Sequence, residues 1–416
     1  MGLTALFSGI AAAIREKDGT GEPIPAAAFP ERIRAIPARE SSPEPLSPDA
    51  VYRAVRPDDW LELPEPEDNE LYLLFHIPEG TSALLAFTVT CGGGAYQVEV
   101  LGGADGSAAP EVLDSGTKFE TELSAGDFSA RAAGGMRQAV IRVTSPGQDI
   151  LRWATAAHSR KTAPSGFADW NIVEIKCRLP RGAGVKCGST AKAGALNKLR
   201  FFTWRGASRL ESANYMFSNC VSLTAVPELD TSSMTGMNYL FYNCYSLLAV
   251  PNLDCAQAVQ LDSTFYNCYA LKAVPALNLS RAAVINNMFF GCGSLRALEM
   301  PDTSQATDMG YLFQMCSSLS SVTGLNTAKA ANMRNLFSSC PSLARLTLCP
   351  EVTGWAGYAI SLSGCSLGHE ALVELFRSLP APTQTRELTI TGNPGTGQLT
   401  EEEKAIAAGK NWTLVL

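Results

Sequence analysis

The chain has 416 residues, more than one hydrophobic core usually organises, so two or three domains, or a domain followed by an array, are expected. Apolar residues make up 46% and charged residues 18%, which excludes wholesale disorder, and 35 Gly with 24 Pro imply many turns. A net charge of −7 without a Lys/Arg cluster argues against nucleic acid or anionic lipid as partners. No apolar run approaches the roughly 20 residues that span a bilayer, and the first residues lack the basic, apolar and small-residue succession of a signal peptide. The expectation is synthesis in a cytosol and no membrane insertion.

At the N-terminus, Leu3, Leu6, Phe7, Ile10 and Ile14 lie at helical spacing, and Phe29, Ile33 and Ile36 repeat the pattern beside Pro30 and Pro37. Two helices this short cannot bury their stripes alone, so residues 1–40 read as a helical segment that docks on something. The stretch IAAAIREKDGTGEPIPAAAFPERIRAIP resembles a short module at the starts of phage tail-associated proteins, which implies attachment to other tail proteins or self-association into a homo-oligomer. Packing against the chain's own second domain is the alternative.

A Pro-, Ser- and Glu-rich linker comes next, placed at 41–50. In the domain after it, 51–165, β-type runs appear at Leu71 to Ile77, Leu84 to Cys91, Tyr96 to Val100, Ala139 to Val143 and Ile150 to Ala154. Turns rich in Gly, Ser, Asp and Pro separate them, which argues an antiparallel β-sandwich. The stretch YRAVRPDDWLELPEPEDNELYLLFHIPEGTSALLAFTVTC is similar to a domain seen in phage tail proteins, with no activity attached to it. Within 166–210, Val173, Ile175, Cys177 and Leu179 alternate with Glu174, Lys176 and Arg178, a half-buried strand suited to capping the end of an array.

Residues 211–365 form a repeat. Phe217, Phe241, Phe265, Phe289, Phe313 and Phe337 stand 24 residues apart, and Cys220, Cys244, Cys268, Cys292, Cys316 and Cys340 keep the same step, with Cys365 one residue late. Leu223, Leu247, Leu271, Leu295, Leu319 and Leu343 form a third column, and Val226, Val250, Val274, Leu298, Val322 and Leu346 a fourth. A period of 24 lies in the leucine-rich-repeat window, where each unit is one coil with a short strand and a helical or 3₁₀ return. Asn214, Asn238, Asp262 and Asn286, three before a Phe, are residue types that cap such a return. Seven of the twelve cysteines sit in one column, so packing thiols are expected, each able to reach a loop carbonyl, and not a disulfide framework.

Units such as NYMFSNCVSLTAVPELDTSSM and NYLFYNCYSLLAVPNLD resemble the leucine-rich repeats of BspA-like bacterial and phage surface proteins, over roughly residues 205 to 365. The resemblance implies a stacked parallel sheet and a surface used for recognition. Pro227, Pro251 and Pro275 have no counterpart in the fourth to sixth units, where the rim is expected to change. The overall fold class is therefore mixed α/β: a leucine-rich-repeat solenoid preceded by a β-sandwich and a short helical segment.

Residues 366–416 read as a folded C-terminal cap. Leu372, Leu375, Phe376 and Leu379 mark an amphipathic helix, Leu388 and Ile390 a strand, and Thr400 with Glu403 a capping box opening a helix that Gly409 can end before the strand Trp412 to Leu416. No sorting signal or anchor is expected from these residues, and LTEEEKAIAAGKNWTLVL resembles the closing segment of repeat proteins encoded in phage genomes.

No catalytic, cofactor or metal site is nominated. His76, His158 and His369 are isolated from Cys or carboxylates at ligand spacing, and Cys177 with Cys187 lacks a second pair. RGAGVKCGST is not a phosphate loop, because Lys186 precedes Gly188, and neither Glu65 with Glu67 nor Glu401 with Glu402 has the partner that glycosidase chemistry needs.

One constellation points to binding. Tyr242, Tyr266 and Phe290 come directly after the Phe of units two to four, and Tyr245 and Tyr269 directly after the Cys of units two and three. In the outer units these columns hold Ser218, Gln314 and Ser338, and Val221, Gly293, Ser317 and Pro341. Facing solvent, such rings form a hot-spot surface able to lie on sugar rings; turned inward, they fill gaps between coils. Tyr215, Tyr239 and Tyr311 are weaker candidates.

The expectation is a non-enzymatic phage tail-associated protein, made in the bacterial cytoplasm and carried in the virion tail, that recognises a bacterial cell-surface glycan or protein receptor. The rival is a bacterial surface or secreted adhesin of the same repeat family. An enzyme acting on cell-surface sugar is the third reading.

Overall fold

The computed structural model describes residues 47–416 apart from 102–109, 125, 127, 129–130, 133–134, 148, 156–171, 180–183, 189–195, 206–211, 228 and 350–358. The helical segment expected over 1–40 lies outside the described residues. Ahead of the array come α1 (Pro48–Val55), β1 (Glu70–Pro78), β2 (Ser82–Cys91), β3 (Ala95–Leu101), β4 (Glu111–Asp114), β5 (Lys118–Ser124), β6 (Arg131–Ala132), β7 (Met136–Thr144), β8 (Ile150–Thr155), β9 (Ile172–Arg178), β10 (Gly184–Lys186) and β11 (Phe201–Trp204). The array carries β12 (Ala297–Glu299), β13 (Ser321–Leu325) and β14 (Arg345–Leu348). The chain closes with β15 (Ile360–Ser361), α2 (His369–Ser378), β16 (Arg386–Thr389), α3 (Glu401–Ala408) and β17 (Trp412–Val415).

The strands before the array form two mixed sheets, not the purely antiparallel pair confined to 51–165 that the sequence suggests. The larger runs β11-β9-β1-β7-β3-β4, with β6 also on β7, and the smaller runs β10-β8-β2-β5. Both extend beyond residue 165, because β9 pairs antiparallel with β1 and parallel with β11, while β10 pairs parallel with β8. Their facing sides share one core: Leu73 and Phe75 of β1, Ile141 of β7 and Ile175 of β9 meet Phe87 of β2 and Trp153 of β8.

The period of two in a strand puts Tyr72 and Leu74 on the opposite side of β1, and that side is covered too. Val51 and Val55, one turn apart on α1, join Trp60 and Leu63 in covering Tyr72, Leu74, Val140, Val173 and Phe201. The helix starts at Pro48, inside the expected linker, with Pro in its first turn where a missing N–H costs nothing. Arg56 and Tyr52 fasten it, both reaching Glu174, at 3.0 Å and 2.7 Å.

The array is a β-solenoid whose first coil grows directly from the larger sheet. Phe201 of β11 bridges Ala225 in parallel, and Ala225 bridges Ala249. Further on, Leu298 pairs with Val322 and Val322 with Leu346, always one period apart. Regular strands begin only where the prolines stop. Pro227, Pro251 and Pro275 lack an N–H for the ladder, and Glu299, Thr323 and Thr347 hold the corresponding positions in coils four to six.

The return is not helical, contrary to expectation. Within 215–220 the N–H groups of Tyr215, Phe217 and Asn219 donate to Asn238, Leu240 and Tyr242 of the next coil at 3.0, 2.9 and 2.7 Å. Those of Met216, Ser218 and Cys220 donate three residues back. Half the donors leave the coil, which a helix forbids. This alternation needs left-handed residues, and each of coils one to six has two, four apart: Tyr215 and Asn219, Tyr239 and Asn243, Ser263 and Asn267, Asn287 and Gly291, Tyr311 and Met315, Asn335 and Ser339. Asn and Gly tolerate that region best, which accounts for most of the second column. The column expected to cap a helical turn stitches coils instead: Asn214 Oδ1 accepts the Asn238 N–H at 2.9 Å.

Beyond the sixth coil, β15, β16 and β17 form a parallel sheet, with Leu388 paired to Ile360 and to Leu414. Thr400 and Glu403 form the expected capping box at the start of α3. His369 Nε2 meets Glu403 Oε2 at 2.9 Å, tying α2 to α3.

Candidate recognition face

The interior of the coils is spent on packing. The Phe column stacks continuously from Phe217 to Phe337 with ring centroids 5.4 to 5.7 Å apart. Each Cys from Cys244 to Cys340 donates its thiol to the carbonyl of the Phe one coil back, at 3.0 to 3.2 Å. All twelve cysteines are free, and burial raises the Cys220 to Cys365 column thiols. A thiol held neutral is a poor nucleophile and metal ligand, and these thiols join each coil to the one before it.

The candidate rings stand outside that interior. Tyr242, Tyr245, Tyr266 and Phe290 are half-buried, and Tyr269 is 48% exposed. Tyr242 stacks on Tyr266 at 4.7 Å, Tyr266 on Phe290 at 4.4 Å with planes 2° apart, and Tyr245 on Tyr269 at 5.1 Å. The five residues form two short ladders side by side on coils two to four.

Stacking changes what they offer. Rings packed face to face cover one another, so a ligand meets edges and hydroxyls along most of the ladder. A free face exists only where a ladder stops. The broad platform for sugar rings suggested by the sequence is therefore narrowed to the ladder ends.

Tyr239 belongs to this face as well. It stacks on Tyr215 at 4.7 Å and touches Tyr242 at 5.4 Å, so the column two before the Phe adjoins the main ladder. Its ring is half-buried, at a position that spacing alone ranks low. Tyr311 stands apart, with the Arg334 guanidinium 5.8 Å from its ring.

The remaining candidates for chemistry resolve into structural roles. His76 is buried edge-on to Trp60, with centroids 4.8 Å apart, and burial lowers its pKa to about 4. His158 lies outside the described residues. Glu65 pairs with Lys176 at 3.2 Å and Arg205 at 3.5 Å, and Glu67 lends its backbone N–H to Glu70. Lys186 ends strand β10, and Gly188 lies so close to the Tyr215–Ser218 backbone that no side chain fits there. Cys177 donates to Thr203 O at 3.7 Å inside the core. Among the described residues no group of three or more His, Cys, Asp or Glu is placed to hold a metal.

No curated protein matches the chain. Residues 208–303 and 261–367 match the family described as BspA type Leucine rich repeat region (6 copies), the stretch that forms the coils and bears every candidate ring. Residues 208–367 are thus a leucine-rich-repeat array of the BspA type.

Proposed function

We propose that this protein is a non-enzymatic adhesin that recognises a bacterial cell-surface receptor, glycan or protein, through the two aromatic ladders on coils two to four. The observation that carries this reading is the solvent-side stacking of Tyr242, Tyr266 and Phe290 and of Tyr245 and Tyr269. Rigid amphipathic rings order few rotamers on binding, which is why such groups dominate recognition surfaces. The BspA-type match supports an interaction or adhesin role for the array.

The setting we propose is a phage tail, with residues 1–40 fastening the protein to other tail proteins and bringing several copies together. Its support is the resemblance of the first 40 residues, the domain after them and the last segment to phage-encoded proteins. Several copies convert weak single contacts into stable attachment. The repeat match equally favours a bacterial surface adhesin, and mass spectrometry of purified tail particles separates the two.

The test of recognition is flow cytometry of fluorescent full-length protein on a panel of bacterial cells, beside a variant with Tyr242, Tyr245, Tyr266 and Tyr269 changed to Ala. The full chain is needed because β9 and β10 belong to the sheets before the array. Selective binding that disappears in a variant of unchanged circular dichroism supports the proposal. Binding that survives the four substitutions moves the site elsewhere, and no binding by a multimerised wild type ends the adhesin reading.

A further inference from the structure

We propose that one pyranose ring of a neutral glycan binds in the slot above Gly293, where the ladder Tyr245–Tyr269 lacks its next rung. This rests on the adhesin reading and names the ligand class and position within the same face.

Tyr245, Tyr269, Gly293 and Ser317 occupy one position in four successive coils. Tyr245 covers one face of Tyr269 at 5.1 Å, and the other face looks toward the coil whose residue has no side chain. That accounts for the 48% exposure of Tyr269, while the rings of the adjacent ladder are only half-exposed.

The neighbouring Gly291 leaves no such space, because the Asn267 amide oxygen fills the place of a Cβ there. Above Gly293 the nearest atom to an ideal Cβ is the Ser317 hydroxyl, at 3.4 Å, an ordinary contact. The slot therefore has the Tyr269 ring as one wall and the fifth coil, with Ser317 and the 51% exposed Met315, as the other. Its width is one missing residue in a ladder whose two rings stand 5.1 Å apart, so a ring inserted there lies at stacking distance from Tyr269.

The rim selects the ligand. Tyr269 and Ser317 carry no charge, and Ser317 Oγ spends its proton on Gly293 O at 3.3 Å, leaving lone pairs for an incoming hydroxyl. A pyranose lays its apolar C–H face on Tyr269 and turns a hydroxyl to Ser317 Oγ. An aromatic side chain of a protein partner would stack equally well but leave that hydroxyl unused, and neither Tyr269 nor Ser317 offers an acidic sugar a cation.

The test uses the full chain, multimerised, on a printed array of neutral hexose and N-acetylhexosamine oligosaccharides, with the cell panel run in parallel. Gly293 has no positive φ, so Gly293→Tyr supplies the missing ring without strain, and Gly293→Leu fills the slot with an aliphatic chain. We expect array signals that fall at least tenfold in both variants and in Tyr269→Ala, with unchanged circular dichroism. Wild-type binding to no neutral oligosaccharide, or equal binding by a folded Gly293 variant, overturns the proposal. If Gly293→Tyr still binds cells that the four-tyrosine variant cannot, the slot falls and the wider adhesin face stands; if wild type binds no cells, both fall.

Discussion

The thiol of Cys268 donates to the carbonyl oxygen of Phe241 at 3.2 Å, across 27 residues of sequence and one coil of the solenoid. The same contact recurs down the column, so each cysteine ties its coil to the one before it. Burial raises the Cys268 thiol well above its ordinary value, and the same holds for Cys244, Cys292 and Cys316. These thiols should fail to react with a disulfide reagent in the native protein and react fully in denaturant, as a thiol titration in both conditions checks. Cys268→Ala removes the donor and leaves a small void, at an expected cost of about 1–3 kcal/mol in urea unfolding.

A second prediction concerns the left-handed positions. Asn243 has φ 57°, carries a Cβ in that strained region, and exchanges side-chain hydrogen bonds with both neighbours in its column, donating to Asn219 at 2.8 Å and accepting from Asn267 at 3.0 Å. Asn243→Gly loses the two bonds and keeps the backbone freedom; Asn243→Ala loses both. Alanine should therefore be the more destabilising by about 1 kcal/mol, a reversal of the order found in helices. Parallel urea titrations of the two variants measure the gap, and equal stabilities would contradict the account of the return.

Why the return is not legible in the sequence is explained by these same residues. A 24-residue period reports that Phe, Cys and Leu recur inward, and the coils, the thiol-to-carbonyl contacts and the capping box of α3 can be read from residue type and spacing. Which way an N–H points depends on the neighbouring coil, and no local pattern carries that. The aromatic columns are legible as positions, but the face-to-face stacking that hides most ring faces depends on rotamers set by packing. Strand β5 leaves little trace because only Phe119 and Leu123 mark its buried side amid charged residues. Helix α1 leaves little because Val51 and Val55 are the only buried residues in a stretch that otherwise reads as linker.

His76 makes stability depend on pH. Burial lowers its pKa from 6.5 to about 4, and its Nε2 has no hydrogen-bond partner. The unfolded chain binds a proton near pH 6.5 that the folded chain refuses until about pH 4, so stability falls as pH drops through that window and is unaffected above it. The loss approaches about 3 kcal/mol at the acid end. Urea midpoints at pH 7.5 and pH 4.5 should differ less in His76→Phe than in wild type, since phenylalanine keeps the contact with Trp60 and has nothing to protonate.

The last prediction tests whether the cover over the larger sheet is held by its ion pair. Glu174 points out of β9 on the side away from the main core, with its side chain fully buried, and receives the Tyr52 hydroxyl at 2.7 Å and Arg56 Nε at 3.0 Å. Arg56 also reaches Leu61 O at 2.6 Å and Glu62 at 2.9 Å, so one guanidinium joins α1, the strand below and the stretch that carries Trp60. Removing a partner from a buried pair leaves a desolvated charge, which costs more than the pair itself contributes. Arg56→Ala should therefore cost about 3–5 kcal/mol. Arg56→Met combined with Glu174→Gln, which removes both charges at similar volume, should recover much of that loss. Hydrogen exchange locates the damage: amides of 48–55 should lose protection in Arg56→Ala while the coils from Phe265 onward keep theirs. If coil amides near Ala225 and Ala249 also lose protection, the cover stabilises the start of the solenoid too, as the shared cluster of Val55, Phe201, Ala225 and Ala249 leads us to expect for the first two coils only.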